Sequence, residues 1–338
     1  MLNGRNRLVT LIATSAAAAI TFVGMVPSGT AEAKPTVQDV QHRVNRLYHA
    51  AEQASERYNT IRVQLDQMRG DVSGLRADQA RQEKRTEKAR RVVADAIVQQ
   101  YEGDSLSAVG QAVVASDPTD FVSQLTTMSA FNSMQAGQYS SFLTESKALS
   151  IRQTATQKQL DKVAELEKRA AQDKATIDKN LAAAKEVLGK LKAKARARLL
   201  AASQSSSSVS PAFPVSTVDV PVSGRAAAAV HYAMAQVGKA YVYGAAGPSA
   251  YDCSGLTMAA WGAAGVGLPH SSSAQYGSGT HISASQLQPG DLVFYYSPIS
   301  HVGMYIGNGM IVNAENPSSG VRVTGLYSMP YVGAVRPG

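Results

Sequence analysis

The feature that most constrains the fold is an unbroken series of apolar residues near the start of the chain, spaced alternately three and four residues apart. It covers more than five heptads and consists of Val37, Val40, Val44, Leu47, Ala51, Ala54, Tyr58, Ile61, Leu65, Met68, Val72 and Leu75. This spacing places all members on one stripe of an α-helix, as in the a and d positions of a coiled coil. Gly70 and Gly74 lower helix propensity near its end. We therefore expect a long helix that continues, less tightly packed, to about Tyr101.

A second long helix is predicted to start after a short interruption, in which residues 106–114 are expected to form a small apolar helix. Asp117 can cap the second helix, Pro118 suits its first position, and Asp120 favours the positive end of the helix dipole. The helix should run to about residue 201. Two long helices joined in this way predict an antiparallel coiled-coil hairpin. Pairing between two molecules is an alternative that the sequence leaves open.

The first residues have the features of a secretory signal peptide. Arg5 and Arg7 are positive, residues 8–26 are apolar, and Ala31-Glu32-Ala33 has the small-x-small form that signal peptidase cleaves. We predict a signal peptide at 1–33 and a mature protein that is secreted and acts outside the cytoplasmic membrane. An uncleaved membrane anchor is the alternative, since the apolar stretch is almost long enough to span a bilayer.

The rest of the chain divides into three parts by composition. The helical coiled-coil domain is expected at 34–201 and a Ser/Pro-rich linker at 202–224, because such a composition cannot bury a core. Residues 225–338 have the length of an ordinary domain. Residues 226–237 and 253–264 follow a helical pattern, and the remainder is β-rich with Gly and Pro turns, which predicts an α+β domain.

Charge is distributed unevenly between these parts. The formal net charge is +8, and residues 34–198 hold 27 basic and 20 acidic side chains, against 4 and 3 in residues 225–338. An exported protein with a basic arm would meet anionic wall polymers or lipid head groups rather than nucleic acid. A solvated helix surface with interspersed charges is the alternative explanation.

Cys253 is the only cysteine in the 338 residues, so the chain cannot form an internal disulfide. It follows Asp252, which can cap the helix predicted at 253–264. A helix N-terminus lowers the pKa of a thiol and favours the reactive thiolate. We therefore predict that Cys253 is a nucleophile. The alternative is a buried cysteine that packs as a small hydrophobe.

A histidine and an asparagine can complete such a site. His301 begins a strand pattern that turns at Gly307-Asn308-Gly309. If Ile306 pairs with Met310, Gly303 lies opposite Asn313, and the two-residue alternation of strands puts His301 and Asn313 on one face. Asn313 would then fix the tautomer of a His301 base, as in Cys-His-Asn peptidases. With one cysteine and no His-x-x-x-His spacing, we predict neither a metal site nor a cofactor.

Several spaced blocks in this region resemble the NlpC/P60 family of bacterial cell-wall cysteine peptidases. The resemblance covers about residues 225–338 and runs through Gly238-Lys239-Ala240-Tyr241-Val242-Tyr243-Gly244, Tyr251-Asp252-Cys253-Ser254-Gly255-Leu256, Leu268-Pro269, Gln275-Tyr276, Pro289-Gly290-Asp291-Leu292-Val293-Phe294 and His301-Val302-Gly303-Met304-Tyr305-Ile306-Gly307-Asn308-Gly309. It implies a papain-like α+β core in which the cysteine lies on a helix packed against an antiparallel sheet.

The resemblance also implies a function and roles for residues. It implies a cysteine endopeptidase that cleaves amide bonds in peptidoglycan stem peptides, usually between the γ-carboxyl of D-glutamate and the following diamino acid. Cys253 corresponds to the nucleophile and His301 to the base, and Asn313 falls where the family most often has histidine. Tyr241 corresponds to a tyrosine near the oxyanion position. The remaining matches, to positions that contact substrate, are Asp252 and Ser254.

The chain also departs from the family. Tyr243 stands where tryptophan is common and His270 where arginine is common, and both departures bear on fine specificity. The N-terminal half resembles the coiled-coil arms of secreted division hydrolases, which dock on a membrane regulator of the FtsEX type. Two other function classes stay open at this point: a non-catalytic coiled-coil adaptor that binds the cell wall, and an amidase or acyltransferase on the same core.

Overall fold

The computed structural model describes residues 36–101, 118–191, 193, 195, 197, 198 and 224–338. The predicted signal peptide, the small helix expected at 106–114, the cap Asp117 and the residues of the predicted linker up to 223 lie outside the described residues. Within the described part, no helix is both long and apolar enough to cross a bilayer.

The N-terminal half consists of two long antiparallel helices, α1 (Val37–Tyr101) and α2 (Pro118–Gly189). Their contacts proceed in opposite directions along the two chains. Val44 packs near Ala184 and Leu188, and Ile61 packs near Ala170. The Gln82 side chain donates hydrogen bonds to the backbone and side chain of Glu145. The predicted hairpin is therefore confirmed, and the two helices pair within one chain.

Most of the predicted seam of α1 is buried in this hairpin. The exposed fraction is below a tenth for seven of its twelve members, namely Val40, Val44, Ala51, Ala54, Ile61, Leu65 and Val72. Val37 lies at the helix start and is exposed. The prediction that α2 runs unbroken to about residue 201 was wrong, because the helix ends at Gly189, and the described residues 193, 195, 197 and 198 are helical again beyond this break. Glycine has low helix propensity, which favours an end at this residue.

The C-terminal half is an α+β domain with one six-stranded sheet. Its elements are α3 (Arg225–Met234), β1 (Ala240–Tyr241), β2 (Ala250–Tyr251), α4 (Cys253–Ala263), α5 (Ser272–Gln275), β3 (Thr280–Ile282), β4 (Leu292–Tyr295), β5 (His301–Gly307), β6 (Met310–Ala314), β7 (Val321–Gly325) and β8 (Tyr331–Arg336). The sheet is antiparallel with strand order β3-β8-β4-β5-β6-β7, and β1 and β2 form a separate parallel pair.

Helix α4 packs against β5 and β6 and thereby places the cysteine on the sheet. Leu256, Ala260 and Trp261 from the helix share one core with Val302, Met304 and Val312 from these two strands, and all of these side chains are buried. This arrangement confirms the predicted fold class, with a helix-borne cysteine packed on an antiparallel sheet.

The hairpin of β5 and β6 has the predicted register over most of its length but a different turn. Met304 pairs with Val312 and Tyr305 with Ile311, and the register then shifts so that Gly307, not Ile306, lies opposite Met310. The prediction that Ile306 pairs with Met310 was therefore wrong. Asn308 and Gly309 both have positive φ, as a tight Asn-Gly turn requires, and the extra residue is absorbed as a bulge.

Candidate functional site

Cys253 is the first residue of α4, and Asp252 caps that helix. The Oδ1 atom of Asp252 accepts a hydrogen bond from the backbone N–H of Gly255 at 2.7 Å. The cap satisfies one of the free N–H groups at the helix start. The thiol therefore lies at the positive end of the helix dipole, as the sequence predicted, but its side chain is only 1% exposed.

His301 and Asn313 meet on neighbouring strands. The His301 Nε2–H donates to the Asn313 Oδ1 atom at 3.0 Å, and the Asn313 Nδ2 atom donates to the Thr324 hydroxyl on β7 at 2.9 Å. All three side chains are fully buried. Because Thr324 fixes the orientation of the amide and the amide fixes the imidazole, the Nδ1 atom of His301 is the one left for other chemistry.

Of the other three predicted site residues, Asp252 is the cap described above, and Ser254 and Tyr241 are buried in the same region. Ser254 follows Cys253 in α4, with its hydroxyl fully buried. The Tyr241 ring is also buried and packs edge-on against the Tyr243 ring, with 4.9 Å between centroids. Burial and the nearby charge of Cys253 raise the pKa of Tyr241 well above its usual range, so its hydroxyl keeps its proton.

A side chain from the coiled coil reaches the histidine. Glu52 on α1 accepts a hydrogen bond from the His301 Nδ1–H at 2.6 Å. The other oxygen of Glu52 lies 3.5 Å from the Nδ1 atom of His49, one turn earlier on the same helix. The histidine thus has a partner at both ring nitrogens, one from its own sheet and one from the helical arm.

One turn further along α1, Glu56 lies over the thiol. Its Oε1 atom accepts hydrogen bonds from the Ser254 hydroxyl at 2.9 Å and from the Cys253 thiol at 3.5 Å. Its Oε2 atom accepts from the backbone N–H of Ser272 at 2.6 Å and from the Ser272 hydroxyl at 2.7 Å. The Nδ2 atom of Asn59 donates to Asp252 at 3.0 Å. Helix α1 therefore fills the space next to the Cys253 thiol.

The environment of Cys253 opposes ionisation in this conformation. Burial raises the pKa of the thiol well above its usual range, and the charges of Glu56, Asp252 and Glu52 raise it further, against a lowering by the backbone N–H of Val302. The expectation of a lowered thiol pKa is therefore wrong for this conformation. Burial of the sulfur atom and the negative charge of three nearby carboxylates raise the pKa of the thiol by more than the helix dipole lowers it.

The pKa values of His301, Glu52 and Glu56 are also shifted, but not all in the same direction. Burial alone would lower the pKa of His301, but the charge of Glu52 and hydrogen bonds to Glu52 and Asn313 outweigh it, so the pKa is raised. For Glu52, burial raises the pKa, yet the charge of His301 lowers it overall. Burial and the charge of Asp252 raise the pKa of Glu56 despite its hydrogen bonds.

The sequence did not single out the arm residues of this site. Glu52, Glu56 and Asn59 are spaced four and three apart, which places them on one stripe of α1 beside the seam, and all three are buried. The same spacing is common on solvated helix faces, so the pattern alone could not separate the two cases. Ser272 carried no motif signal of its own.

His270 was noted only as a departure from the family pattern. Its Nε2 atom lies 2.8 Å from the Oδ1 atom of Asp252. Burial would lower the pKa of this histidine, but hydrogen bonding to Asp252 and the charge of that carboxylate raise it overall. The contact with Asp252 thus favours the protonated form of His270 beside the cap of α4.

Comparisons with known proteins bear on the C-terminal half. The NlpC/P60 family matches residues 238–334. A probable endopeptidase p60 of Listeria monocytogenes is 50% identical over 97 residues, 28% of this chain and 20% of that protein. A probable endopeptidase of Corynebacterium glutamicum is 39% identical over 137 residues, 39% of this chain and 66% of that protein. This chain thus spans less than two thirds of either relative.

One similar solved structure is that of the NlpC/p60 domain of the peptidoglycan hydrolase SagA. The two are 34% identical, and the match covers 33% of this chain and 97% of that chain with a TM-score of 0.32.

Proposed function

We propose that the protein is a secreted cysteine endopeptidase that cleaves stem peptides of peptidoglycan. The match of residues 238–334 to the NlpC/P60 family supports this proposal. The observation that carries the proposal is the approach of Cys253, at the start of α4, to a ring nitrogen of His301, with Asn313 on the opposite nitrogen. A nucleophile, a base and a group that orients the base are the minimal set for thiol-dependent acyl transfer.

In the proposed reaction, His301 takes the thiol proton and Cys253 attacks the scissile carbonyl carbon. The negative charge on the resulting oxyanion is stabilised by the backbone N–H of Cys253 and by Tyr241, whose raised pKa keeps its hydroxyl a donor. His301 then protonates the departing amine, and water hydrolyses the thioester. Asn313 holds the imidazole throughout, so that the same nitrogen faces the sulfur in both steps.

The bond we propose is the one between D-glutamate, through its γ-carboxyl, and the diamino acid. A γ-linked glutamate keeps a free α-carboxylate close to the scissile carbonyl. The donors that hold the Glu56 carboxylate in this conformation, Ser254 and Ser272, lie beside the thiol and could hold such a substrate carboxylate instead. Asp252 and Ser254 are the substrate-contacting residues in this proposal.

We propose that the conformation described here is latent. Cys253 is 1% exposed and His301 is fully buried, and Glu56 occupies the donors that the substrate would need. A stem peptide can therefore bind only after α1 has moved away. Such a block would suit an enzyme whose uncontrolled activity would damage the wall on which the cell depends.

The far end of the hairpin is where we propose that a membrane-bound division regulator of the FtsEX type acts. Large apolar side chains near both helix ends are exposed there, among them Ile97, Val98, Val122, Leu125 and Phe131. Exposed apolar residues in such number are typical of a surface that another protein covers. A partner bound there could pull on the hairpin and release the site.

The test uses defined peptides. The domain comprising residues 225–338 is incubated with L-alanyl-γ-D-glutamyl-diamino acid peptides, and the products are identified by mass spectrometry. We expect cleavage after D-glutamate, and no cleavage by the Cys253→Ala variant. Release of L-alanine would contradict the proposed bond, and release of the intact stem peptide from a matched sugar-linked substrate would favour an amidase. Binding without cleavage would favour the adaptor hypothesis.

A further inference from the structure

Three side chains with metal-binding atoms converge where the helical arm meets the catalytic domain. The Cys253 sulfur, a ring nitrogen of His301 and a carboxylate oxygen of Glu52 all lie within 4.8 Å of one another. Glu52 is 7% exposed and the other two side chains are less exposed still. Two ligand atoms belong to the domain and the third belongs to α1.

This set of donors fits zinc. Zn²⁺ binds thiolate sulfur, imidazole nitrogen and carboxylate oxygen at about 2.0–2.3 Å, and three protein ligands with one open position are a common zinc arrangement. Ligand atoms around one such ion lie roughly 3.3–3.6 Å apart by that geometry. Small changes of side-chain rotamer, which move the ligand atoms by about an ångström, would convert the present hydrogen-bonded arrangement into a coordinated one.

The surroundings of the three ligands support coordination. The Nε2–H of His301 is bonded to Asn313, which is itself held by Thr324, so Nδ1 is the nitrogen directed at the cluster. Metal-ligating histidines commonly have their second nitrogen fixed in this way. The negative charges of Glu56 and Asp252 act on the sulfur of Cys253 and would favour a divalent cation next to it.

We propose that zinc binds between Glu52, Cys253 and His301 and holds the arm against the catalytic domain. The ion replaces two protons, one on the Cys253 sulfur and one on the His301 Nδ1 atom, and both protons go to solvent. Because Glu52 leaves with the arm, the open protein has only two of the ligands. Zinc binds the closed state more tightly than the open state and therefore shifts the equilibrium of the arm towards the closed state. The ratio of the two zinc affinities sets the size of this shift.

The experiment is a titration of the reduced, metal-free full chain with Co²⁺, followed by competition with Zn²⁺. We expect one cobalt ion per chain, a sulfur-to-cobalt charge-transfer absorption in the near ultraviolet, and loss of that band as zinc displaces cobalt. The Cys253→Ser variant should lack the band. A wild-type chain that shows no such band, or a band that Cys253→Ser retains, would overturn the proposal.

A pair of matched variants tests the part played by the arm. Glu52→Gln should weaken binding of cobalt by more than about 10-fold. Loss of a residue that only orients a ligand already costs about 10-fold, and loss of a ligand should cost more. Glu56→Gln, one turn along the same helix, removes a docking contact but no ligand, so it should weaken binding of cobalt clearly less than Glu52→Gln does. Equal affinity of Glu52→Gln and wild type would place the metal on the domain alone. An equal loss in both variants would show an effect of arm docking rather than coordination. Both results contradict the site.

The metal site does not depend on the proposed reaction, because the readout is binding and not hydrolysis. A chain that cleaves wall peptides but binds no cobalt through Cys253 refutes the metal site alone.

Discussion

At the residue scale, Asn313 positions His301 while its own amide is held by Thr324. We predict that Asn313→Ala lowers kcat roughly 10- to 100-fold, a part of the 10²–10⁴-fold that general acid–base catalysis supplies. KM should change little, because Asn313 is not placed to touch substrate. Steady-state hydrolysis of a defined wall peptide measures both constants.

The conservative variant separates positioning from a structural role. Asn313→Asp keeps an oxygen acceptor for the Nε2–H of His301 and should recover most of the rate. If both variants have the same low kcat and a lowered melting temperature, the side chain serves the fold rather than the base.

The protonation of His301 predicts how the contact with the arm depends on pH. The docked pKa of His301 lies above its ordinary value of 6.5, so its contribution to docking is full below that value and is lost as pH rises through the docked pKa. The pKa of Glu56 is also raised, and its deprotonation likewise weakens docking. The lowered pKa of Glu52 matters only at acid pH, where protonation of Glu52 removes its contribution.

The measurement is the rate at which iodoacetamide alkylates Cys253 across the pH range in which histidine titrates. We expect the rate for the wild-type chain to rise with pH more steeply than that of a Glu52→Ala/Glu56→Ala variant, in which only ionisation of the thiol contributes. Parallel profiles for the two proteins would show that docking does not depend on these groups.

At the element scale, the regular spacing of side chains along helices and strands accounts for most of what the sequence predicts. The heptad seam predicts the start and the buried face of α1, and the alternation of side chains in strands predicts that His301 and Asn313 share one face. Both patterns are local and depend on backbone geometry alone. The bulge near Ile306 was missed because an Asn-Gly turn accommodates either of two registers.

The contact between Glu56 and Cys253 could not be predicted in the same way, since 197 residues separate them in sequence. On a helix face, a carboxylate that meets another domain has the same spacing as one that meets water. Only the tertiary contact distinguishes the two kinds of carboxylate. The same contact raises the pKa of the Cys253 thiol, whereas the sequence led us to expect a lowered pKa.

The packing of the arm gives a stability prediction. Leu65 is 5% exposed and packs with Ile61 and Ala170, whereas Leu143 on α2 is 50% exposed. Leu65→Ala should lower the free energy of unfolding of the hairpin by about 2–5 kcal/mol, and Leu143→Ala by less than about 0.5 kcal/mol. Urea unfolding followed by far-ultraviolet circular dichroism compares the two. Equal effects would contradict the described register of the hairpin.

At the scale of the whole molecule, the arm and the substrate compete for one set of groups. Glu56 holds the donors of Ser254 and Ser272, and Glu52 holds the proton of His301. Breaking a buried charged contact by removing one partner typically costs about 3–5 kcal/mol. Loss of both glutamates should therefore shift the arm strongly towards the open state, in which a stem peptide can reach Cys253.

The most direct test is the rate at which soluble peptide fragments are released from purified sacculi by the wild-type chain, a Glu52→Ala/Glu56→Ala variant and the same variant with Cys253→Ala. The matched control is Glu83→Ala, which removes an exposed carboxylate from the same helix. We predict fast release by the double variant, slow release by the wild type and Glu83→Ala, and none once Cys253 is replaced. Release that persists without Cys253, or a double variant no faster than the wild type, would contradict a buried thiol nucleophile blocked by the arm.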